Sequence, residues 1–269
     1  MNKKLVAFLS GILISFSLHA QISPPGLGES NTAAWFAFGI RQRLDSANHK
    51  QFVSYAGLGR ISGLGSKYLL NKQSIIVINE EYYNQFRKHR QYSLALSYRN
   101  QRKYEDLPPY ESSNPAAKQE FRLYGRYSYL WSKSDWKLVV TFRQEIRKFL
   151  APDFQNWDET LQLRSRLRTQ LTFTLDQNKV HKLILSAEAL GSVSQYAVPS
   201  HWSRFGYHES RFCFYYSLDP KNSSLVYSIG YMNNLLGTNT LKDVHYLAFD
   251  IIWENPFSFL KPRPPEALE

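Results

Sequence analysis

The chain has 269 residues, with 33 Lys and Arg against 22 Asp and Glu, which gives a formal net charge of +11. Aromatic residues make up 15% of the sequence, and this excludes an intrinsically disordered chain, because such chains carry few of them. The single cysteine, Cys213, excludes an internal disulfide framework and a cysteine-based zinc cluster, and we expect it to be a small inward-facing filler. After the first twenty positions no apolar stretch reaches the roughly 18 residues of a transmembrane helix, so a helical membrane protein is not predicted.

The first twenty residues have the composition of an export signal. Lys3 and Lys4 precede an apolar run over 5–18, and Ala20 stands before the expected cleavage point. A retained membrane anchor is the alternative, and lipoprotein attachment is not expected because no cysteine follows the run. The predicted organisation is a signal peptide over 1–20, an N-terminal extension over 21–32, a barrel over 33–257 and a C-terminal tail over 258–269.

Apolar and polar residues alternate along most of the remaining chain, which is the period of a β-strand with two unlike faces. In the segment 159–175, leucines share one face, while Arg164, Arg166 and Arg168 occupy the other. Each such segment is predicted to be a strand. Eleven of them occur, near 33–43, 50–60, 73–85, 90–103, 118–131, 136–148, 159–175, 179–191, 204–218, 224–235 and 243–254.

The length of these segments favours a membrane barrel over a soluble β-sandwich. A membrane-spanning strand needs about nine to eleven residues, whereas strands of soluble proteins average about five or six. Tyr127, Tyr129 and Trp131 end one apolar face, where a membrane barrel carries its aromatic girdle. Short turns also alternate with longer loops, as at the two rims of an up-and-down barrel. The turns are expected at 132–134, 176–178 and 219–223, and the loops at 104–117, 149–158 and 193–203.

The predicted fold is therefore all-β, an up-and-down antiparallel transmembrane β-barrel of about 12 strands in the outer membrane of a Gram-negative bacterium. Bacterial single-chain barrels have an even number of strands, so eleven recognised segments indicate that one was missed or split. We expect it in the weakly patterned stretch 61–72. Gly57, Gly59, Gly63 and Gly65 are expected at strand bends or in a flexible crossing.

Three groups of residues also resemble a known family. They are Tyr98-Arg99 with Arg102 and Tyr104 beyond it, residues 119–126 (QEFRLYGR) and residues 142–149 (FRQEIRKF). They resemble the DUF2490 family of outer-membrane barrels from Bacteroidetes, and the resemblance extends over most of the mature chain. It implies a fold and a location, but neither a reaction nor a catalytic residue.

Many arginines are predicted to point into the lumen. They are Arg122, Arg126, Arg143, Arg147, Arg164, Arg166 and Arg168, accompanied by Glu120 and Glu145 and, further round, by Glu188, Glu209 and Asp250. Arginines on neighbouring strands lie about 5 Å apart, so they repel unless they are paired. Two interpretations stay open. Salt-bridged side chains could fill and close a narrow barrel, as in a subunit of a larger envelope complex, or a basic constriction could form a small-anion pore.

A pair of residues suggests an alternative function from another class. His208 and Ser210 share one strand face, and Asn233 or Asn234 is expected opposite His208 on the next strand. A base, a nucleophile and an orienting amide are what acyl transfer needs, and the H-x-S spacing resembles that of outer-membrane phospholipase barrels. The alternative is therefore an outer-membrane lipid hydrolase; no other feature of the sequence points to an enzyme.

The remaining features concern cofactors and partners. The histidines have no metal-ligand spacing and no glycine-rich phosphate loop precedes a helix, so no metal or cofactor is predicted. Nucleic acid is not expected, because the basic residues alternate with lipid-type residues instead of forming an exposed stripe. The expected partners are outer-membrane lipid and lipopolysaccharide, together with an envelope protein complex. The basic candidates at the rims are Arg87, Lys88, His89, Arg90, Lys261 and Arg263, and the proline-rich tail 256–265 is either a loose end or a docking strand.

Overall fold

The computed structural model describes residues 22, 24–27, 30–63, 68–105, 111–237 and 242–257. The predicted signal peptide and C-terminal tail lie outside these residues, as do Gly65, Lys261 and Arg263. In the described ranges no helix is long and apolar enough to cross a membrane.

The structure contains twelve strands in the described residues. They are β1 (Thr32–Arg43), β2 (Lys50–Ile61), β3 (Lys72–Arg87), β4 (Arg90–Tyr104), β5 (Ser112–Ser132), β6 (Trp136–Leu150), β7 (Asn156–Thr174), β8 (His181–Tyr196), β9 (His201–Trp202), β10 (Gly206–Leu218), β11 (Leu225–Leu236) and β12 (Lys242–Glu254). The eleven long strands fall on the eleven segments recognised from the alternation, so those predictions are confirmed.

The sheet closes on itself as an up-and-down barrel. Neighbours along the chain pair antiparallel from β1 to β8, then β8 pairs with β10, and the order continues through β11 and β12 back to β1. The two residues of β9 pair only with the end of β8 and stay outside the ring. The predicted barrel is confirmed, and a two-sheet sandwich is excluded because one continuous sheet contains all the strands.

An odd number of strands in the ring determines how the barrel closes. Eleven strands that alternate in direction leave the first and the last running the same way. The closing pair is therefore parallel, from Thr32 opposite His245 to Arg41 opposite Glu254. The twelfth strand is β9, and its predicted location between residues 61 and 72 is wrong for the described residues there, because β2 ends at Ile61 and β3 begins at Lys72.

The two rims differ in their connections. At one end, which we call the short-turn rim, strands are joined by residues 44–49, 88–89, 133–135, 175–180 and 219–224. At the other end, the long-loop rim, they are joined by 62–71, 105–111, 151–155, 197–205 and 237–241. The longer loops are shorter than predicted, because β5, β7 and β8 continue further toward this rim than the alternation indicated.

Side chains alternate between an apolar outer surface and a mostly polar interior. On β4, Leu94 and Leu96 point outward and are 59% and 65% exposed, whereas Ser93 and Ser97 point into the lumen and are buried. The same split recurs around the barrel, as with Phe212 and Phe214 outside. A soluble barrel has the opposite distribution, with its apolar side chains in the lumen.

The N-terminal segment, meaning Ile22, residues 24–27 and Ser30, lies inside the barrel. Ile22 borders Gly39 and Tyr55, about halfway along their strands, and Leu27 lies nearer the long-loop rim, where its backbone N–H donates to the Tyr246 hydroxyl at 3.0 Å. The segment therefore runs through the lumen in the direction opposite to β1, toward the long-loop rim where β1 begins.

Candidate functional site in the lumen

Two walls of different chemistry face each other across the lumen. The apolar wall is the part of the lumen formed by β11, β12 and β1–β3, where apolar side chains predominate although polar residues such as Asn79, Glu81 and Asn234 are buried among them. Trp35, Tyr246 and Met232 are among its members, and each is at most 1% exposed. The arginine wall consists of the lumen-facing side chains of β4–β8 and of the first half of β10. Its members are buried almost as completely, although they are charged.

Glycines make the apolar wall possible. A Cβ atom added at Gly57 would lie 2.2 Å from the Trp35 ring, and one added at Gly230 would lie 2.3 Å from the Tyr215 ring. Each aromatic ring therefore occupies the space that a side chain on the neighbouring strand would fill. Gly59 precedes the register shift between β2 and β3, which agrees with the strand bend predicted there.

Glu120 on β5 is the first centre of the arginine wall. Its carboxylate accepts from Arg122 at 2.6 Å, from Arg147 at 2.6 Å and from Arg99 at 3.3 Å. All four side chains are less than a tenth exposed. Three arginines on three strands are thus held by one carboxylate, which offsets their mutual repulsion.

Glu145 on β6 repeats this arrangement one strand further round. Its side chain has no exposed surface, and it pairs with Arg143 at 2.7 Å, with Arg122 at 3.4 Å and with Arg166. Because Arg122 contacts both Glu120 and Glu145, the two centres form one connected network.

The network continues onto β8 and β10. Arg166 also contacts Glu188 at 3.1 Å, and Glu188 lies 3.6 Å from Arg211. Arg211 in turn contacts Glu209 at 2.6 Å, and Glu209 pairs with Arg164 at 3.3 Å. We call the connected set the ion-pair layer: Arg99, Arg122, Arg143, Arg147, Arg164, Arg166 and Arg211 with Glu120, Glu145, Glu188 and Glu209.

The ion-pair layer keeps an excess of positive charge. It contains seven arginines against four glutamates, which leaves three positive charges. Arg126 and Arg168, also predicted in the lumen, lie beside the layer. Arg126 contacts Glu81 at 3.2 Å, and Arg168 donates to the Ser186 hydroxyl at 3.2 Å.

The N-terminal segment is tied to the same arginines through its backbone. Arg99 donates to the Gly26 carbonyl at 3.2 Å and Arg211 to the Pro24 carbonyl at 3.4 Å. The side chain of Gln101 donates to the Leu27 carbonyl at 3.2 Å. Proline has no N–H group, so the segment buries few donors that need a partner. Its carbonyl groups inside the barrel accept hydrogen bonds from the arginines.

Two cavities lie on opposite sides of the ion-pair layer. The short-turn cavity, of about 600 Å³, reaches the turns at Lys133, Lys179 and Lys221. The long-loop cavity, of about 460 Å³, reaches Ser203 and Arg204 at the other rim. Arg99 and Arg211 line both cavities, so the boundary between them is one side chain thick at those positions.

The residues of the proposed lipid hydrolase do not share the expected register. Asn233 lies opposite Phe212 and Asn234 opposite Arg211, so neither faces His208. Asn234 instead donates to Glu209 inside the lumen, and Asn233 lies 3.4 Å from His245. In the part of the chain that the structure describes, no hydrogen bond joins His208, Ser210 and Asn233.

Other residues singled out in the sequence take separate places. Asp250 lies in the apolar wall beside the Trp35 indole, is 1% exposed, and has no ion pair within the described ranges. Cys213 is free and buried, facing the lumen. The turn with Lys88 and His89 lies at the short-turn rim, where the His89 ring stacks on Tyr129. The described residues contain no group of three or more His, Cys, Asp or Glu that could hold a metal ion.

Three charged residues of the lumen and the N-terminal segment were not predicted there. Arg99 and Arg211 were left out of the lumen set although both lie on its face by strand parity, and Glu81 was left out in the same way. Strict alternation applied to β3, β4 and β10 would have found all three. The N-terminal segment carries no periodicity, and no signal in the sequence places it in the lumen.

The fold and the site together define a class of protein, a closed β-barrel with an apolar outer surface and an ion-paired polar lumen. The chain belongs to the family described as protein of unknown function (DUF2490), whose model matches residues 77–245. This match confirms the family resemblance seen in the sequence. No curated protein and no solved structure matches the chain.

Proposed function

We propose that the protein is an outer-membrane barrel. The support is the outward apolar surface, which on β5 extends from Phe121 to Trp131. Ten residue steps correspond to about 33 Å along a strand and to about 25 Å along the barrel axis at a tilt of about 40°, close to the height of the apolar band in outer-membrane barrels. The signal peptide predicted over 1–20 provides the route of export.

In this proposal the short-turn rim faces the periplasm, as short turns do in bacterial outer-membrane barrels. The turn 87–90 then faces the periplasm as well, away from the lipopolysaccharide of the outer leaflet. In this orientation the long-loop rim contacts lipopolysaccharide instead. Arg204, which is exposed there, is a candidate for it.

We further propose that the barrel is closed to passive diffusion and binds anions instead of conducting them. The observation that carries this is the ion-pair layer, which together with the N-terminal segment separates the two cavities. The excess of arginine makes both cavities attractive to anions. Such a barrel acts as a binding component of the envelope, alone or as the subunit of a larger complex.

Planar-bilayer conductance of the purified mature chain tests the closed lumen. We expect no stepwise current from the parent protein. We expect anion-selective current from a variant lacking residues 22–30, because Arg99 and Arg211 lose the carbonyls that they bind. Heat-modifiable mobility on a gel shows whether that variant still forms the barrel. Steady current from the parent would support the small-anion pore and contradict the closed lumen.

Solubility tests the membrane location separately. We expect the protein expressed with its signal peptide to fractionate with the outer membrane and its mature form to require detergent after extraction, because its outward surface carries residues such as Leu96, Phe142 and Leu167. A compact monomer that stays dissolved without detergent would contradict the membrane location.

A further inference from the structure

We propose that the short-turn cavity is a binding site for a small soluble polyphosphate anion, meaning a molecule that carries two or more phosphate groups. The inference rests on the proposed closed lumen, because the ion-pair layer is the floor of this cavity. It adds a ligand class and the residues that recognise it.

The charge of the cavity is the first argument. Twelve basic side chains line it against three acidic ones. At its mouth, Lys137 points into the cavity and its ammonium group has no hydrogen-bond or ion-pair partner within the described residues. A recessed site with this charge and low-dielectric walls concentrates multiply charged anions. The long-loop cavity is less one-sided, with seven basic side chains against three acidic ones.

The floor supplies a fixed row of guanidinium groups. Arg126 on β5 lies directly opposite Arg143 on β6, and Arg143 lies directly opposite Arg166 on β7. Like charges in register are unfavourable in a sheet unless they are neutralised. The glutamates that pair with this row neutralise it only in part, because Glu145 and Glu188 also pair with other arginines. Three strands at about 4.8 Å spacing make this row about 10 Å wide, which exceeds one phosphate group and suits an anion with two or more.

The arginines of this row are held in place before any ligand arrives. The Arg143 guanidinium carbon lies 3.5 Å from the centre of the Tyr124 ring. Tyr124 is itself fixed, because its hydroxyl donates toward Asn79 and Glu81, both at 2.9 Å. The guanidinium group is planar, and stacking on Tyr124 fixes the orientation of that plane. Its N–H groups then point in fixed directions, which suits binding to phosphate oxygens.

Neutral donors lie next to this row on the side of the short-turn rim. Ser128 and Thr141 are directly opposite each other and share a hydrogen bond of 2.9 Å, and Arg168 follows on the next strand opposite Thr141. Guanidinium groups with adjacent hydroxyls match the several acceptor oxygens of a phosphate. Lys137, six residues before Arg143 and so about 20 Å away along β6, acts by steering the ligand inward.

Isothermal titration calorimetry on the full mature chain in uncharged detergent, with inorganic pyrophosphate as the probe, tests the proposal. We expect saturable binding at one site that weakens as salt is added. Arg143→Gln is expected to lower the affinity about tenfold or more, because it removes a charged donor from the floor. Lys137→Gln is expected to lower it several-fold at about 0.01 M salt and little at about 0.15 M salt, because a charge about 20 Å away is screened at the higher salt. It should not disturb the barrel, since Lys137 has no partner to lose among the described residues.

Two comparisons complete this experiment. Arg204→Gln, which changes the other cavity, is expected to leave pyrophosphate affinity unchanged. Mixed micelles containing phosphatidic acid are the second arm, because a lipid headgroup carries the same chemistry. Binding of the lipid but not of pyrophosphate would overturn a soluble ligand, and so would pyrophosphate affinity that neither Arg143→Gln nor Lys137→Gln changes. A non-conducting barrel that binds no pyrophosphate would overturn this inference and leave the closed lumen standing.

Discussion

The apolar wall and the arginine wall bury their side chains to a similar degree, but by opposite means. Trp35 packs against Gly57, and the buried Tyr246 hydroxyl accepts a hydrogen bond from the backbone of the N-terminal segment. Glu120 and Glu145 are buried because each is surrounded by three guanidinium groups. A change that removes charge should therefore weaken one wall and leave the other unharmed, while a change that adds volume should do the reverse.

Glu145→Gln is expected to have the largest effect on stability. It leaves Arg122, Arg143 and Arg166 without their shared carboxylate in a largely buried site. Breaking a buried ion pair from one side costs about 3–5 kcal/mol, and we expect a loss of that size in the free energy of unfolding. Urea unfolding of the protein reconstituted in vesicles measures it.

The neighbouring Gln144 provides the control for this change. Its side chain is exposed on the outer surface and, among the described residues, bonds only to Ser165, so Gln144→Ala should change the unfolding free energy by less than about 0.5 kcal/mol. Equal effects of the two substitutions would show that the ion-pair layer contributes no more than a surface contact.

Gly57→Ala tests packing in the apolar wall. The added methyl group would lie 2.2 Å from the Trp35 ring, and that ring has no free space to enter because it is fully buried. Overpacking of this kind costs about 1–3 kcal/mol. Thermal unfolding of the variant beside Gly125→Ala measures the cost, because a Cβ atom at Gly125 meets Leu94 at an ordinary 3.5 Å. A similar cost for both substitutions would mean that the cost comes from the strand backbone and not from Trp35.

Most of the fold could be read from the sequence, because the two-residue period depends only on which face of each strand meets lipid or lumen. The eleven long strands and the inward direction of Arg122, Arg147 and Arg166 follow from that period. The twelve strands of the described residues agree with the predicted number, but the even-number rule did not give the ring, which has eleven strands because β9 pairs only with the end of β8. The described residues of the N-terminal segment lie in the lumen without pairing in the sheet.

The division of the lumen into two walls could not be predicted from the sequence either. Alternation shows that Glu145 and Asp250 both face inward, but it gives no contact across the lumen. Those contacts depend on which strands face each other after closure, and that depends on register and on the space that the N-terminal segment takes. The same limit explains the incorrect register expected for His208 and Asn233, since Asn233 lies opposite Phe212 and a shift of four residues keeps the two-residue period intact.

Asp250→Asn replaces a carboxylate by an amide in the apolar wall, as Glu145→Gln does in the arginine wall. The Asp250 carboxyl is buried beside Trp35 and, within the described ranges, has no arginine or lysine partner. Burying an unpaired charge is unfavourable, so an uncharged amide of the same shape should leave the free energy of unfolding unchanged or raise it by up to about 1 kcal/mol. Urea unfolding under the conditions used for Glu145→Gln measures this. A loss comparable to that of Glu145→Gln would contradict the division into two walls and would indicate a cationic partner for Asp250.

Ser210→Ala should have the smallest effect, because Ser210 belongs to neither wall. It points away from the lumen, as its neighbours Glu209 and Arg211 point into it, and it lies opposite Leu235 with no hydrogen bond to His208 among the described residues. Unfolding free energy should stay within about 0.5 kcal/mol of the parent value. Release of fatty acid from phospholipid vesicles should be absent both from the parent and from the variant. The opposite result would be fatty-acid release by the parent that is lost in Ser210→Ala and kept in the control His181→Ala. That result would support the lipid hydrolase. It would also require His208 to turn toward Ser210 when lipid binds.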